Sequence, residues 1–296
     1  MGISKDLIFL LLLLIFFSKD VSSATFTFLN KCDFTVWPGI LGNSGLDTTG
    51  FQLQKGHSRS LEAPPGWSGR FWGRTGCNFD GSGKGSCSTG DCGSGQIECN
   101  GSGATPPATL AEFTLGSGSP DYYDVSLVDG FNLPMIIETS GNGGCENTGC
   151  GANINTQCPT ELQSENGDAC RSACEAFGTP EYCCSGAFSS PATCSPSAYS
   201  QMFKAACPKS YSYAYDDASS TFTCTDTDYI ITFCPFSQRT TSHDTRKGGF
   251  GGGSWLVDLA IGESSLVQPC FLLQTTLFLV TITSIMSLGR HFNYRF

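Results

Sequence analysis

The side chains with the most chemical options in this sequence are its 17 cysteines. Sixteen of them lie between Cys32 and Cys234, and the last one, Cys270, lies in an apolar tail. Thiols can form disulfides, bind metals or act as nucleophiles. An even number inside one segment allows eight disulfides with no thiol left over, and spacing alone leaves their pairing open. We therefore expect a disulfide framework.

Metal and hydrolase chemistry are both disfavoured in this segment. The sequence contains no Cys-x-x-Cys pair, and His57 is the only histidine between Cys32 and Cys234, so the ligand spacing of zinc sites is missing. A Ser-His-Asp hydrolase would need a histidine and a nucleophile motif, and no such motif surrounds His57. We predict that the protein uses no metal and no cofactor.

The overall composition narrows the class of protein further. The chain has 296 residues, 36 glycines, 22 phenylalanines and a net charge of −10. Such an acidic chain is a poor partner for nucleic acid or anionic lipid, since both bind clustered Lys and Arg. Cysteine at this frequency is typical of an oxidising compartment. The composition thus predicts a secreted globular protein stapled by disulfides.

The N-terminus has the layout of a secretory signal peptide. Lys5 precedes an apolar run at 7–17, which is too short to span a bilayer. Polar and small residues follow, so we expect residues 1–24 to be removed by cleavage before Thr25.

The C-terminus allows two main interpretations, and a non-functional extension is a third. A polar and glycine-rich linker at 236–265 precedes a hydrophobic tail at 266–296. Small residues, a spacer and an apolar tail are the layout of a GPI-attachment signal. Arg290 and Arg295 after an apolar stretch suit a single transmembrane helix instead. Either form would keep the globular domain outside the cell, attached to the membrane through this tail only.

Between these ends the sequence reads as short strands separated by turns. Strand-like segments recur at 25–30, 70–74, 109–115, 122–128, 135–138, 220–224 and 229–233. Helical spacing occurs at 168–177, where Asp168 can cap the start, and at 197–206. This pattern predicts a β-sandwich with disulfide-rich excursions.

The segment Gly83–Cys92, continuing to Cys99, closely resembles the signature of the thaumatin-like family of plant defence proteins. The resemblance spans about residues 25–235 and includes the sixteen cysteines of that segment in order. Further matching motifs lie at Gly73–Asp80, Leu110–Phe113, Asp124–Asn132, Glu181–Cys184 and Phe233–Pro235. The resemblance to this family implies a mainly β fold: a flattened antiparallel β-sandwich, a small looped region at about 76–104 and a disulfide-rich helical region at about 150–207.

The resemblance also implies a disulfide pairing. The eight expected bridges are Cys32–Cys234, Cys77–Cys87, Cys92–Cys99, Cys145–Cys224, Cys150–Cys207, Cys158–Cys170, Cys174–Cys183 and Cys184–Cys194. The first would join the two ends of the domain, and the adjacent Cys183 and Cys184 would have separate partners.

The family carries an arginine, a glutamate and three aspartates around a cleft. The matching positions are Arg70, Glu112, Asp124, Asp129 and Asp216. Glycoside hydrolysis needs a protonated and an ionised carboxyl beside the scissile bond, and crowding raises a carboxyl pKa enough to supply the protonated one. Glu112 would be the acid and Asp129 the base or nucleophile, while Arg70 would hold a neighbouring carboxylate ionised.

Two details of this cleft are open at the level of sequence. Arg74 lies four residues beyond Arg70 on the same strand face and competes for the arginine position. Several aromatic side chains near the motifs are candidates for stacking on sugar rings, namely Trp72, Phe113, Tyr122, Tyr123 and Phe131.

These features imply an extracellular plant defence protein, antifungal or stress-related, in the apoplast or cell wall. It would bind β-1,3-glucan or another cell-wall polysaccharide as a monomer, and would be at most a weak endo-β-1,3-glucanase. The alternative is a non-enzymatic recognition module tethered at the cell surface. Residues 25–235 hold 9 basic and 21 acidic side chains, a net charge of −12, and Asn100 begins an N-glycosylation acceptor in the looped region.

Both forms of the C-terminal tail predict that the protein sediments with the plasma membrane of the plant cells that make it. Phosphatidylinositol-specific phospholipase C should release it if the tail is a GPI signal, and should leave it in place if the tail is a transmembrane helix. Immunoblots of the fractions distinguish the two, and recovery of the untreated protein in the soluble fraction would contradict both.

Overall fold

The computed structural model describes residues 23–141 and 144–236. The strands of this part are β1 (Ala24–Asn30), β2 (Trp37–Gly42), β3 (Ser58–Ala63), β4 (Ser68–Arg74), β5 (Asn78–Phe79), β6 (Gly85–Ser86), β7 (Leu110–Thr114), β8 (Asp121–Ser126), β9 (Met135–Thr139), β10 (Thr148–Cys150), β11 (Phe222–Cys224) and β12 (Tyr229–Phe233). The α-helices are α1 (Ala173–Phe177), α2 (Pro180–Cys183), α3 (Ala198–Ala206) and α4 (Asp217–Ser220). Short 3-10 helices lie at Ile154–Gln157, Thr160–Leu162 and Gly186–Phe188.

Two five-stranded sheets form a sandwich. The first sheet has the order β10-β9-β12-β1-β3 and the second has the order β11-β8-β7-β4-β2, while β5 and β6 form a separate small pair. Neighbouring strands are antiparallel with one exception, since β1 and β12 run parallel. The expected mainly β sandwich is confirmed, and the parallel pair is the departure from a purely antiparallel one.

The parallel pair brings distant parts of the chain together. Asn30 at the end of β1 pairs with Phe233 at the end of β12. The two cysteines just beyond these positions, Cys32 and Cys234, form a disulfide although 202 residues separate them. In the chain-entropy model, a crosslink that closes a long loop restricts the unfolded chain strongly and stabilises by about 4 kcal/mol or more.

All eight disulfides expected from the resemblance are present. They are Cys32–Cys234, Cys77–Cys87, Cys92–Cys99, Cys145–Cys224, Cys150–Cys207, Cys158–Cys170, Cys174–Cys183 and Cys184–Cys194. Several of them close loops of about ten residues in the looped and helical regions, where few strands are available to hold the chain.

Aromatic side chains fill the space between the two sheets. Phe26 of the first sheet meets Trp67, Phe71 and Phe113 edge-on, with ring centroids 5.3, 4.8 and 4.7 Å away. Edge-to-face contact suits the quadrupoles of aromatic rings, and each buried Phe contributes roughly 1.5–3 kcal/mol through the hydrophobic effect. The alternation of buried and half-buried residues along β1 follows from this packing.

The helical predictions are correct in part. The structure has α3 as expected, with Ser197 accepting a hydrogen bond from the Ser200 N–H as its cap. The helix expected at 168–177 forms only over α1, and its cap is Ser172 instead of Asp168. The cause is Cys170, whose N–H donates to the Phe131 carbonyl and whose carbonyl accepts from the Phe131 N–H. Residues 165–169 before it form a turn and bends.

Sequence analysis missed β2 and β3. In β2, Gly39 interrupts the alternation of apolar and polar residues that would indicate a strand. The packing of β2 against the neighbouring strand β4 requires glycine at this position. A Cβ on Gly39 would lie 2.4 Å from the indole ring of Trp72. The strand therefore carries a glycine where an alternating apolar residue would be expected.

Arg74 is fully buried and holds the looped region against the sandwich. Its guanidinium donates to the carbonyls of Trp37 at 3.0 Å, of Pro38 at 3.3 Å and of Ile97 at 2.6 Å. Burial lowers the pKa of Arg74 to about 10, although the nearby carboxylates of the looped region oppose this. Arg74 is thus a structural residue, which leaves Arg70 as the arginine of the candidate site.

Residues 1–22 and 237–296 hold the body of the predicted signal peptide, the linker and the tail, and they lie outside the described residues. The predicted cleavage point falls at the start of β1, whose first residue is Ala24. Asn100 is exposed in the looped region, and its glycosylation stays a prediction. Within the described ranges, no helix is both long and apolar enough to cross a membrane.

Replacement of Arg74 by Met should lower the free energy of unfolding by at least about 3 kcal/mol, because it leaves buried carbonyls without a donor. Guanidinium unfolding of the disulfide-intact protein measures this loss. Arg59→Met is the matched control: Arg59 is partly exposed and its ion pair with Asp47 is 3.7 Å long, so the change should be about 1 kcal/mol or less. Equal losses in the two variants would contradict the structural role of Arg74.

Candidate functional site

Three neighbouring strands of the second sheet place three charged side chains in a row. Arg70 of β4 pairs in register with Glu112 of β7, which pairs in turn with Asp124 of β8. Successive side chains of a strand point to opposite faces. Because Phe71 and Val125 point into the core, the three charged residues lie on the outer face of the sheet. The Arg70 Nε and Glu112 Oε1 atoms are 3.7 Å apart.

Asp129 lies in the turn that follows β8. The Ala108 N–H donates to its carbonyl at 2.9 Å, and the Gly130 N–H donates to the Leu127 carbonyl at 3.0 Å. Gly130 has φ +85°, and a Cβ there would lie 2.7 Å from the carbonyl oxygen of Cys170. Glycine at position 130 therefore lets the helical region approach this turn closely, and this close packing fixes the position of Asp129.

The structure does not bring Asp216 into the site. Its carboxylate accepts from Lys204 Nζ at 2.9 Å and from the backbone N–H and hydroxyl of Ser212 at 3.0 Å. It is therefore committed to holding the segment before α4 in place. The prediction of Asp216 as a cleft residue is corrected to its neighbour Asp217.

Asp217 reaches the site because the segment before it is attached to β8. The Leu127 N–H donates to the Tyr211 carbonyl at 2.8 Å, and the Tyr211 N–H donates to the Val125 carbonyl at 2.9 Å. The Tyr211 hydroxyl then donates to Asp217 Oδ1 at 2.9 Å. Neither Tyr211 nor Asp217 was predicted from the sequence; the adjacent aspartates at 216 and 217 are the one signal that could have pointed to Asp217.

These residues surround a cavity of about 360 Å³ on the outer face of the second sheet. Its lining is Arg70, Leu110, Glu112, Asp124, Ser126, Val128, Asp129, Tyr211, Ala214 and Asp217. We call it the acidic cavity, since four carboxyl groups and one guanidinium line it. Four of the five site residues predicted from sequence are thus brought together.

Burial and crowding raise carboxyl pKa values in the acidic cavity. Burial raises the pKa of Asp124 to about 8, and the charges of Glu112 and Asp217 add to this rise. Burial also raises the pKa of Glu112, with Arg70 opposing the rise and Asp129 adding to it. Asp124 Oδ1 has no hydrogen-bond partner within the described part of the chain. At neutral pH Asp124 is therefore mostly protonated, and it offers a neutral hydroxyl beside the ion pair.

Most of the aromatic residues expected to stack on sugars are buried instead. Trp72, Phe113, Tyr123 and Phe131 are inaccessible because they pack inside the hydrophobic clusters. Tyr122 is the exception, with 51% of its surface exposed. It lies on the same strand face as Asp124, two residues away, and outside the lining of the acidic cavity.

Across residues 23–141 and 144–236, no group of three or more His, Cys, Asp or Glu side chains is placed to hold a metal ion. The chemistry available in the acidic cavity is therefore that of carboxyl groups, a guanidinium and a phenol. These groups can donate and accept hydrogen bonds and can transfer protons.

The sandwich, its eight disulfides and the acidic cavity define a disulfide-rich β-sandwich protein with a carboxyl-lined surface site. The family model of the thaumatin family matches residues 30–235, and the chain belongs to this family of thaumatin-like, pathogenesis-related proteins. It is 65% identical to "Thaumatin-like protein 1" of Arabidopsis thaliana over 224 residues, which cover 72% of this chain and 86% of that protein.

Two further proteins are similar to this chain. A "PR5-like receptor kinase" of Arabidopsis thaliana is 47% identical over 281 residues, which cover 89% of this chain and 42% of the kinase. The solved structure of the thaumatin-like xylanase inhibitor TLXI aligns with 71% of this chain and 99% of its own chain, at 27% identity and a TM-score of 0.41.

Replacement of Asp124 by Asn should change how stability depends on pH. The pKa of Asp124 rises from 3.8 in the unfolded chain to about 8 in the folded protein, so between these values the unfolded chain releases a proton that the folded chain retains. Ionisation thus favours unfolding, and the stability of the wild type falls as pH rises through this window. The Asp124→Asn variant has no ionisable group at this position, so its stability does not fall with pH for this reason.

Guanidinium unfolding of both proteins from pH 4 to pH 8 tests this prediction. The free energy of unfolding of Asp124→Asn, relative to the wild type, should rise steadily across the range. A difference that stays constant with pH would show that the Asp124 carboxyl is not held protonated by the fold.

Proposed function

We propose that this protein is an extracellular defence protein that binds β-1,3-glucan in the acidic cavity. The observation that carries the proposal is the in-register row of Arg70, Glu112 and Asp124, open to solvent and joined by Asp129 and Asp217. Every sugar hydroxyl both donates and accepts a hydrogen bond. Ionised carboxylates accept, whereas Arg70 and a protonated Asp124 donate, so the cavity offers both kinds of partner.

The exposed ring of Tyr122 supports the same ligand. Sugar rings present apolar C–H groups on their faces, and such faces pack on aromatic side chains that keep one side open to solvent. Tyr122 lies on the strand face that carries Asp124. A glucan chain held by the carboxyl groups can therefore also pack on this ring.

Hydrolysis, if present, is weak. Glu112 would donate the proton to the leaving oxygen, and Asp129 would act as base or nucleophile. The raised pKa of Glu112 favours this role. The guanidinium of Arg70 opposes it, because an ion pair with Glu112 stabilises the ionised form that cannot donate. This geometry therefore favours binding of the glucan over its hydrolysis.

Several properties support action outside the cell, in the apoplast or cell wall. Eight disulfides form and persist in an oxidising compartment, and the N-terminal sequence has the layout of a signal peptide. We include in the proposal a monomeric domain that the C-terminal tail attaches to the membrane as a GPI signal or as a single span.

The second candidate function is non-enzymatic recognition at the cell surface. The similarity to a receptor kinase extends over 89% of this chain, which is more than the 30–235 segment matched by the family model. A tethered domain of this kind would bind a wall polymer or a protein and would leave the ligand intact.

Replacement of Glu112 by Gln should weaken binding to insoluble β-1,3-glucan by about tenfold or more, because a hydrogen bond to a charged group is lost from the cavity. Glu62→Gln is the control, since Glu62 is an exposed glutamate on β3 of the other sheet. Co-sedimentation across a range of polysaccharide concentrations measures both. Unchanged binding by Glu112→Gln would show that the acidic cavity is not the glucan site.

Release of reducing ends from soluble β-1,3-glucan distinguishes the two candidate functions. A glucanase should show slow release that disappears in the Glu112→Gln, Asp129→Asn double variant. Release that persists in the double variant comes from a contaminating enzyme. Binding without any release that depends on these two residues favours the recognition module.

A further inference from the structure

A second cavity of about 580 Å³ lies apart from the acidic cavity. It opens where the segment before β2, the start of the looped region and the first 3-10 helix meet. The residues that matter for its chemistry are Phe34, Trp37, Asn132, Asn153, Asn155 and Asp168. We call it the amide cavity. Its volume lies within the range of about 300–1,000 Å³ that small-molecule sites occupy.

Two aromatic side chains form one wall of the amide cavity. Phe34 exposes 44% of its surface, which is unusual for a phenylalanine in a folded domain. Trp37 is half-buried, and its ring contacts Phe79 with centroids 6.2 Å apart. An exposed apolar ring beside a supported indole provides a surface on which a flat, partly apolar ligand can pack.

Side-chain amides held in fixed positions also line the amide cavity. Asn155 Nδ2 donates to the carbonyls of Asn132 at 2.9 Å and of Asp168 at 2.8 Å. These two bonds fix the orientation of the amide, and they leave Asn155 Oδ1 buried with no hydrogen-bond partner among the described residues. Asn153 Oδ1 accepts from the Asn155 N–H at 3.2 Å. Rotamers that are already ordered cost little entropy when a ligand binds.

The charge of the amide cavity selects the class of ligand. Among residues 23–141 and 144–236, Asp168 is the one ionisable residue of its lining apart from disulfide-bonded cysteines, and no Lys, Arg or His of these ranges lines it. Phosphate, sulfate and carboxylate ligands would lack a positive partner and would face a carboxylate. The Asn132 amide and the Asn155 Nδ2 group are already hydrogen-bonded inside the protein, so a ligand would meet the Asn153 amide and the hydroxyls of Thr35 and Ser88. A neutral ligand with hydroxyl groups and apolar ring faces fits this lining, since amides and hydroxyls both donate and accept hydrogen bonds.

We infer that the amide cavity is a second carbohydrate site, which binds a short neutral stretch of a hexose chain with Phe34 as its stacking surface. The two cavities share a chain segment: Asp129 lines the acidic one and Asn132 lines the amide one. Three residues span at most about 11 Å, so the two sites are close together on either side of this segment. The inference does not depend on the function proposed for the acidic cavity.

Isothermal titration of the full secreted domain with neutral hexasaccharides of β-1,3-linked and β-1,4-linked glucose tests the inference. Phe34→Ala should weaken binding of at least one of them about tenfold, and Phe34→Trp should retain it. Phe34→Leu keeps an apolar side chain without an aromatic face, so it should lose binding as alanine does. Guanidinium unfolding confirms that the variants are folded, and the exposure of Phe34 makes large losses of stability unexpected.

Three outcomes would overturn the inference: no binding of either hexasaccharide, equal binding by Phe34→Ala and the wild type, or full binding by Phe34→Leu. The Glu112→Gln variant separates the two sites. Loss of hexasaccharide binding in Phe34→Ala but not in Glu112→Gln supports the amide cavity even if the acidic cavity binds no glucan. Loss in Glu112→Gln alone would leave the acidic cavity as the glucan site and would overturn the inference.

Discussion

The pleat of the second sheet is the constraint on which the acidic cavity depends. Phe71 and Ala111 must point inward to fill the core between the sheets, and this fixes the register of β4 and β7. Since side chains alternate along a strand, Arg70, Glu112 and Asp124 must then point outward side by side. A slip of one residue would bury the charges and expose the rings. The packing of the hydrophobic core thus determines which residues form the acidic cavity. The electrostatic repulsion between carboxyl groups on the outer face is offset by the burial of apolar side chains on the inner face.

The outer face of β4 has three different environments within five residues. Arg70 is partly exposed in the acidic cavity, Trp72 lies under the looped region, and Arg74 is buried among backbone carbonyls. One strand therefore contributes to a binding surface, to a small hydrophobic cluster and to the attachment of a loop. The disulfides of the looped region keep it in position over Trp72, which allows a segment with little regular structure to cover part of the sheet.

Much of this organisation can be predicted from sequence, and the parts that cannot have physical reasons. Strand β1 alternates clearly because one of its faces lies in the core. The disulfide pairing came from the family resemblance, since sixteen thiols have no pairing that spacing alone selects. The choice between Asp216 and Asp217 depends on where Lys204 and Ser212 lie in three dimensions. The burial of Trp72 and Phe131 likewise depends on whether the looped or the helical region packs over each side chain. The residues next to Trp72 and Phe131 in the sequence do not indicate this.

The parallel pairing of β1 and β12 has a mechanical consequence. The chain leaves the domain at Cys234, and this residue is covalently joined to Cys32 at the beginning of the domain. A pull on the chain beyond Phe236 therefore reaches Cys32 through the disulfide as well as β12 through the backbone, without first passing along the residues between the two cysteines, which are 202 positions apart. Because β1 and β12 are also hydrogen-bonded side by side in the middle of the first sheet, the first and last strands of the sandwich share such a load.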